Sequence, residues 1–381
     1  MQEQTHDTGQ PPAPESGSRL EEIGQLRARL LPVLPDAETL WTRHTDGTFA
    51  FRGHLAMPPE QAYSRLREAF EELGYTPLMR RQQGYDVVIA LRRVFKGTKT
   101  RWIWNVILFL LTLCTTTLMG ALLEQGDRLI ENPTLFFQQP LLLLSGIPAS
   151  LTIMGILGIH ELAHYFAARK HGLDTSLPYF IPVPFGFGTF GAIIRIRTPW
   201  EDRKALFDVG VAGPLAGFLV ALPLFFIGLL ISPAQLPIEG GVELGSPLLL
   251  RWLEQLVYVI RGLPQEQTIY VNAMTFAAWF GLIVTGFNLL PVGQLDGGHV
   301  AYAVLGKWAM LLGGIVLVGL GILGFLQWQG WFIWMAFIFL SGWQHPAPLN
   351  ALAPLGKKRT IIGILVFLLM ALLFVPAPFP I

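Results

Sequence analysis

Residues 140–168 read PLLLLSGIPASLTIMGILGIHELAHYFAA, and this stretch decides how the chain is built. No charge occurs from Pro140 to Ile159, and then His160, Glu161 and His164 arrive within five positions. A helix rising about 1.5 Å per residue needs roughly 20 apolar residues to cross about 30 Å of hydrocarbon, and this run supplies them. An ionisable side chain at such depth costs from about 2.5 kcal/mol upward, so by default it marks a function. The rest of the 381 residues agree with a bilayer as solvent: 52% are hydrophobic and 14% charged. A net charge of +1 gives no argument for a nucleic-acid partner. One cysteine, Cys114, excludes an intrachain disulfide and a thiolate-rich metal site; in its apolar helix it reads as buried packing.

Working outward, seven stretches have the character of membrane spans: Trp102 to Leu123, Leu141 to Ala168, Ala205 to Ile231, Tyr270 to Leu290, Trp308 to Leu326, Trp331 to Gly342 and Ile361 to Val375. The expected fold class is therefore an all-α polytopic membrane protein with a re-entrant β-hairpin and a small amino-terminal α+β soluble domain. Lys and Arg cluster before the first span (Arg92, Arg93, Lys96, Lys99, Arg101), after the second (Arg169, Lys170, Arg195, Arg197, Arg203, Lys204) and after the fourth and sixth (Lys307, Lys357, Lys358, Arg359). Only Arg128, Arg251 and Arg261 face the other way, so the positive-inside rule puts the amino terminus in the cytoplasm. Trp102, Trp104, Trp308, Trp328, Trp331 and Trp343 sit near span ends, where interfacial aromatics are expected.

Ahead of the spans, residues 1–19 read as a disordered tail without signal- or transit-peptide features, which makes a bacterial plasma membrane the default location. Residues 20–95 read as a cytoplasmic α+β domain: a helical start at Leu20 to Leu34, a strand at Thr48 to Leu55, a helix at Pro59 to Leu73, and strands at Tyr75 to Arg81 and Tyr85 to Leu91. Pro58 and Pro59 open the helix and Gly74 closes it. The domain carries no catalytic constellation; it handles or regulates substrates, or is a folded appendage. Residues 96–381 form the transmembrane domain.

Four residues turn a helix by about 400°, which stacks His160 and His164 on one face, close enough to share Zn²⁺ at about 2.0–2.1 Å. Glu161, about 100° away, reaches the open side of the metal, where it serves as general base for an attacking water. A catalytic zinc usually has three protein ligands. Asp296 is the single carboxylate between Tyr270 and Gly306, within NLLPVGQLDGG at residues 288–298, where Pro291, Gly293, Gly297 and Gly298 interrupt the helix. The second and fourth spans run in the same direction, so both motifs reach one depth near the cytoplasmic side. Asp296 is the expected third ligand, with a helix N-cap as its other reading. The Asn288 amide is placed either to donate to a substrate carbonyl or to hold unwound backbone. His171, His299 and His345 read as interfacial or supporting groups, and Asp208 as a cap or polar contact.

Residues 177–198 read LPYFIPVPFGFGTFGAIIRIRT. The prolines exclude a regular helix, and a Gly186–Gly191 turn before residues 192–197 suggests a hairpin at the cytoplasmic interface. Its edge offers unpaired backbone groups to an extended substrate, with Gly186, Gly188 and Gly191 as binding positions; the plainer reading is a connecting loop.

With these residues assembled, the chain resembles the site-2 protease family of intramembrane zinc metalloproteases over about residues 147–306. The match rests on His160 to His164, on the motif from Asn288 to Gly297, and on Ala212 to Gly217, similar to the small-residue stretch of that family's third core helix. The motif wording, the glycine-rich hairpin and Phe51-Arg52-Gly53 are more similar to the plastid and bacterial branch that includes the plant ethylene-dependent gravitropism-deficient proteins. The resemblance implies cleavage of transmembrane protein substrates in contact with membrane lipid, after their helices unwind, and no PDZ-like insert. Some plant members lack the zinc motif; its presence here argues against a pseudoenzyme. Two other classes compete: a metal-ion or proton transporter, which would show more acids along a path, and a haem protein, which four-residue His spacing on one helix disfavours. The sequence leaves the oligomeric state and the substrate open.

Overall fold

The computed structural model describes residues 16–40, 47–95, 97, 102–132, 134–237, 243–343 and 345–380. It is mostly helical and divides into two compact units. Of the tail expected over residues 1–19, residues 1–15 lie outside the described residues, and residues 16–19 belong to the first helix, which begins at Ser16.

The first unit takes in residues 1–96, 199–203 and 347–354. Helix α1 (Ser16–Leu30) is followed by strands β1 (Glu38–Leu40) and β2 (Phe49–Gly53), helix α2 (Pro59–Glu71), and strands β3 (Thr76–Gln82) and β4 (Tyr85–Leu91). The strands pair antiparallel in the order β1-β2-β4-β3. Gln83 and Gly84, both at positive φ, make the tight β3–β4 turn whose twist suits a hairpin. Ala62, Tyr63, Leu66 and Phe70 recur at the helical period and bury one face of α2 in a core with Leu26, Leu30, Phe51, Met79 and Val88.

Strand β1 was not among the elements expected for residues 20–95, and the compact unit does not end there. Two distant segments extend its sheet beyond β3. The Met79 N–H donates to the Leu349 carbonyl (2.7 Å), and Ala351 N–H to the Met79 carbonyl (3.1 Å). Leu349 and Asn350 N–H then donate to the carbonyls of Trp200 (2.8 Å) and Glu201 (2.7 Å). Leu349 enters the core, the Asn350 amide donates to the Pro59 carbonyl at 3.1 Å, and Arg67 pairs with Glu201 at 3.0 Å. Neither segment carries a strand-like alternation long enough to announce this in sequence.

The second unit begins with α3 (Trp102–Glu131) and a short α4 (Leu135–Gln138), then a 3₁₀ turn (Pro140–Gly146) running into α5 (Ile147–Lys170). The expected single helix over Leu141 to Ala168 is thus broken. Pro148 sits in the first turn of α5, and Gly146 packs so close to α3 that a Cβ would lie 1.9 Å from the Thr117 carbonyl oxygen. Next come β5 (Tyr179–Pro182) and β6 (Thr189–Ile193), paired antiparallel with an irregularity between Phe180 and Pro182, and α6 (Arg203–Ile231). Strand β7 (Ala234–Gln235) and β8 (Thr268–Ile269) pair around an amphipathic α7 (Leu248–Arg261). The chain closes with α8 (Ala273–Asn288), α9 (Asp296–Leu305), α10 (Trp308–Leu326), α11 (Gly330–Ser341) and α12 (Lys357–Leu373).

Every expected span has a helix. Four stretches are long and apolar enough to cross a bilayer: Trp102–Gly126, Pro140–Lys170, Arg203–Ile231 and Trp308–Leu326. Ala273–Asn288 and Gly330–Ser341 are apolar but shorter. Two side-chain expectations fail. Cys114 is exposed on α3 rather than buried, because an outward face of such a helix needs only to be apolar. Trp331 is fully buried, donating to the Pro376 carbonyl at 2.7 Å, whereas Trp102, Trp104 and Trp308 are well exposed.

Candidate metal centre

Helix α5 delivers His160, Glu161 and His164, all buried, and their ligating atoms lie within 4.8 Å of one another. The two Nε2 atoms are 3.0 Å apart. His164 Nδ1 lies 2.8 Å from the Val209 carbonyl and, as the N–H, donates to it. That bond fixes the tautomer and leaves the Nε2 lone pair facing inward, the arrangement metal-ligating histidines adopt.

Asp296 arrives from the other direction. Helix α8 stops at Asn288, a compact turn follows in which Gly293 takes φ +59, and α9 starts at Asp296 itself. Gly297 and Gly298 are required there, since a Cβ would lie 2.0 Å from the Leu289 oxygen and 2.3 Å from the Gly293 oxygen, respectively. The position before α9 is Leu295 and makes no side-chain cap; the Asp296 carboxylate instead places Oδ2 3.3 Å from His160 Nε2 and Oδ1 3.3 Å from His164 Nε2.

These distances allow a direct test of fit. With metal–ligand bonds of about 2.0–2.1 Å and tetrahedral angles, neighbouring donor atoms lie about 3.3–3.4 Å apart. The two Nε2 atoms are 3.0 Å apart, and each lies 3.3 Å from a different oxygen of the one Asp296 carboxylate, spacings close to that value. Two neutral imidazoles and a carboxylate are donors that zinc accepts, and the residues present fit the ion.

Helix α6 closes the centre with glycine. A Cβ on Gly213 would lie 2.1 Å from His164 Nε2, one on Gly217 3.2 Å from His160 Nδ1, and one on Gly210 3.0 Å from His299 Cβ. Small residues at 210, 213 and 217 share one helix face, and that spacing was the available sequence signal for a close helix approach; Gly210 was missed. Asp208 is held by both ends of the Arg359 guanidinium (2.7 and 2.8 Å) and by His171 Nε2 (2.9 Å), so the polar contact expected of it joins α5, α6 and α12. His299 Nδ1 and His345 Nε2 are 2.7 Å apart, and the His345 ring stacks on Tyr302.

The glycine-rich segment is a hairpin, not a plain loop. Its turn spans residues 183–188, closed by Val183 N–H to the Gly188 carbonyl (3.1 Å), so Gly191 lies inside β6 instead of in the turn, at φ +100. Gly186 and Gly191 have open space where a Cβ would be, whereas Gly188 is pressed against Thr115 and Thr116 of α3. Among the described residues the outer edge of β6 is unpaired. Asn288 ends α8 half-buried, and its amide has no hydrogen-bond partner among the described residues.

His160, His164 and the Asp296 carboxylate, with Glu161 beside them, form an arrangement able to hold zinc, and the helix that carries three of these residues is long enough to cross a membrane. Residues 148–314 match Peptidase family M50. It is 31% identical over 348 residues to the probable zinc metalloprotease EGY2, chloroplastic, of Arabidopsis thaliana, covering 88% of this chain and 61% of the relative. With the EGY2 of Oryza sativa subsp. indica it shares 28% over 391 residues (97% and 70%), and with the EGY1 of subsp. japonica 34% over 251 residues (60% and 43%). The chain thus spans 61% of the Arabidopsis relative's length. No solved structure matches.

Proposed function

We propose that the chain is an intramembrane zinc metalloprotease that hydrolyses peptide bonds of membrane-embedded protein substrates. The observation that carries this reading is the donor triangle of His160, His164 and Asp296 with Glu161 beside it, buried at the end of a membrane-length helix. His160, His164 and Asp296 hold the ion. When bound, zinc acts as a Lewis acid that polarises the scissile carbonyl and acidifies water. Glu161 takes the proton of the attacking water and returns it to the leaving nitrogen. Val209 orients His164, and the Asn288 amide, free of other partners among the described residues, donates to the substrate carbonyl.

The substrate is held as an added strand on the outer edge of β6, with Gly186 and Gly191 allowing its backbone to approach and Gly188 shaping the turn. Strand β6 packs against α5, the helix that carries Glu161, so an added strand passes near the catalytic acid. The hairpin is re-entrant in this reading. Seven crossings are supported by the sheet of the first unit: residues 79, 200–201 and 349–351 are hydrogen-bonded neighbours and lie on one side of the bilayer. That requires an even number of crossings between them, and α3 with α5, then α6, α8, α10 and α11, supply two and four. The named relatives are chloroplastic proteins, so the bacterial plasma membrane expected from the sequence finds no support among them. No observation favours the transporter reading.

The test is Glu161→Gln in purified zinc-loaded protein presented with a transmembrane-segment peptide, beside Asp296→Ala. Glu161→Gln is expected to abolish cleavage while retaining zinc, and Asp296→Ala to lose the metal. Undiminished cleavage in the first variant, or wild-type zinc content in the second, overturns the assigned role.

A further inference from the structure

Helix α3 lies outside the stretch matched to the peptidase family, yet it holds both the hairpin and the helix that carries His160, Glu161 and His164. Near its start, the buried Asn105 donates both amide hydrogens, to the carbonyls of Leu177 and Pro178, each at 2.9 Å, just ahead of β5. Its Oδ1 is buried without a partner among the described residues, an unfavourable state retained here alongside those two bonds. Phe109 packs edge-on against Phe180 within β5. Two turns further, the Thr115 hydroxyl donates to the Gly188 carbonyl at 2.7 Å, and the backbone approach there is too close for any side chain at position 188. The next residue, Thr116, shares a hydrogen bond with Ser150 of α5 (2.7 Å), and Gly120 meets Gly146 and Ala149. One rigid helix therefore clamps the hairpin at its start and at its turn, and is itself fixed to the helix that carries His160, Glu161 and His164.

We propose that Asn105 and Thr115 are positioning residues that set the register of the hairpin against the metal centre, and so select which peptide bond of the substrate is cut. The idea rests on the strand-addition reading above. Strand pairing is periodic by two, so a hairpin released from α3 offers an added strand alternative registers, each bringing a different bond to Glu161. A helix that merely stabilised the fold would change how much protein survives, but not where the substrate is cleaved.

The experiment uses the full-length protein with Thr115→Val, which keeps the side-chain shape and removes the hydroxyl, together with Asn105→Leu and the conservative Thr115→Ser. Zinc content, kcat and KM for a transmembrane-segment peptide, and cut sites by mass spectrometry are read for each. Thr115→Val and Asn105→Leu should retain zinc, raise KM several-fold and spread the cut over neighbouring sites displaced by about two residues, with Thr115→Ser restoring the single site. A single unshifted site with unchanged KM in folded, zinc-loaded Thr115→Val overturns the proposal. A second readout is independent of cleavage: spin labels at Phe190→Cys and Leu162→Cys, with Cys114→Ser removing the exposed native thiol. Their distance distribution should broaden in Thr115→Val, and an unchanged distribution counts against the clamp. Should the wild-type cut be insensitive to Glu161→Gln, the protease reading fails instead, while the label distances still decide whether α3 fixes the hairpin.

Discussion

Gly213→Ala adds one methyl group to α6 and should cost the protein its metal. The added Cβ falls 2.1 Å from His164 Nε2, 2.5 Å from Cδ2 and 2.6 Å from Cε1. Ordinary contact between such atoms is about 3.5 Å, so the ring or the helix must retreat by more than about 1 Å. Metal–ligand distances tolerate only about 0.2 Å, and His164 is also tied through Nδ1 to Val209, four residues before the mutated position on α6. The triangle therefore loses a corner, and zinc affinity should fall by at least about 100-fold, or roughly 2.7 kcal/mol. Helix propensity works the other way, since alanine is better than glycine by about 1 kcal/mol, so the loss cannot come from a weakened helix. Gly217→Ala is milder: its Cβ meets His160 Nδ1 at 3.2 Å, which a shift of a few tenths of an ångström relieves. Gly155→Ala on α5 meets nothing within 4 Å and serves as the control. The assay is zinc stoichiometry by mass spectrometry across a chelator titration. Zinc retained by Gly213→Ala with wild-type affinity would refute the geometry assigned to this centre.

Two predictions concern the first unit. Leu349→Ala, which removes a nearly buried side chain from its core, should destabilise that unit by about 2 kcal/mol or more, seen as faster amide exchange at Met79; unchanged exchange there refutes the sheet extension. Asp36 is held below the usual carboxylate range by the hydrogen bond to the His54 ring and a second to its backbone N–H. A depressed carboxyl stabilises the fold above its unfolded value and loses that contribution as pH falls through the folded one, so melting temperature should drop below about pH 4. Asp36→Asn should flatten that acid limb, and an identical limb in the variant removes Asp36 as a cause.

Much of the site could be read from local pattern. His160, Glu161 and His164 declare themselves by spacing and depth, and Asp296 by being the lone carboxylate where prolines and glycines break a helix. What the sequence hid was whatever depended on distant partners. Gly188 looked like one more open glycine of a turn, but its neighbours come from α3, about seventy positions earlier. The expectation of a buried Cys114 failed because composition marks a helix as apolar without saying which face meets protein and which meets lipid. Helix α7 was not among the expected elements, although its apolar positions repeat at a helical period. Expecting Leu141 to start a regular helix ignored Pro148, which marks a first turn.

The sheet extension beyond β3 has a consequence for synthesis. The Asn350 amide bonds to a carbonyl 291 positions earlier, so the amino-terminal unit is complete only when nearly the whole chain has been made. At about 5–20 residues per second, β3 waits roughly 15–60 s with a bare edge of unpaired N–H and C=O groups, the exposure that invites pairing with the wrong strand. A ribosome-bound chain halted after residue 340 should therefore present the first unit as a protease-sensitive, aggregation-prone intermediate, and one halted late enough for residues 347–354 to have emerged should not. Biogenesis of this protein thus hinges on its last connection as well as on its first domain.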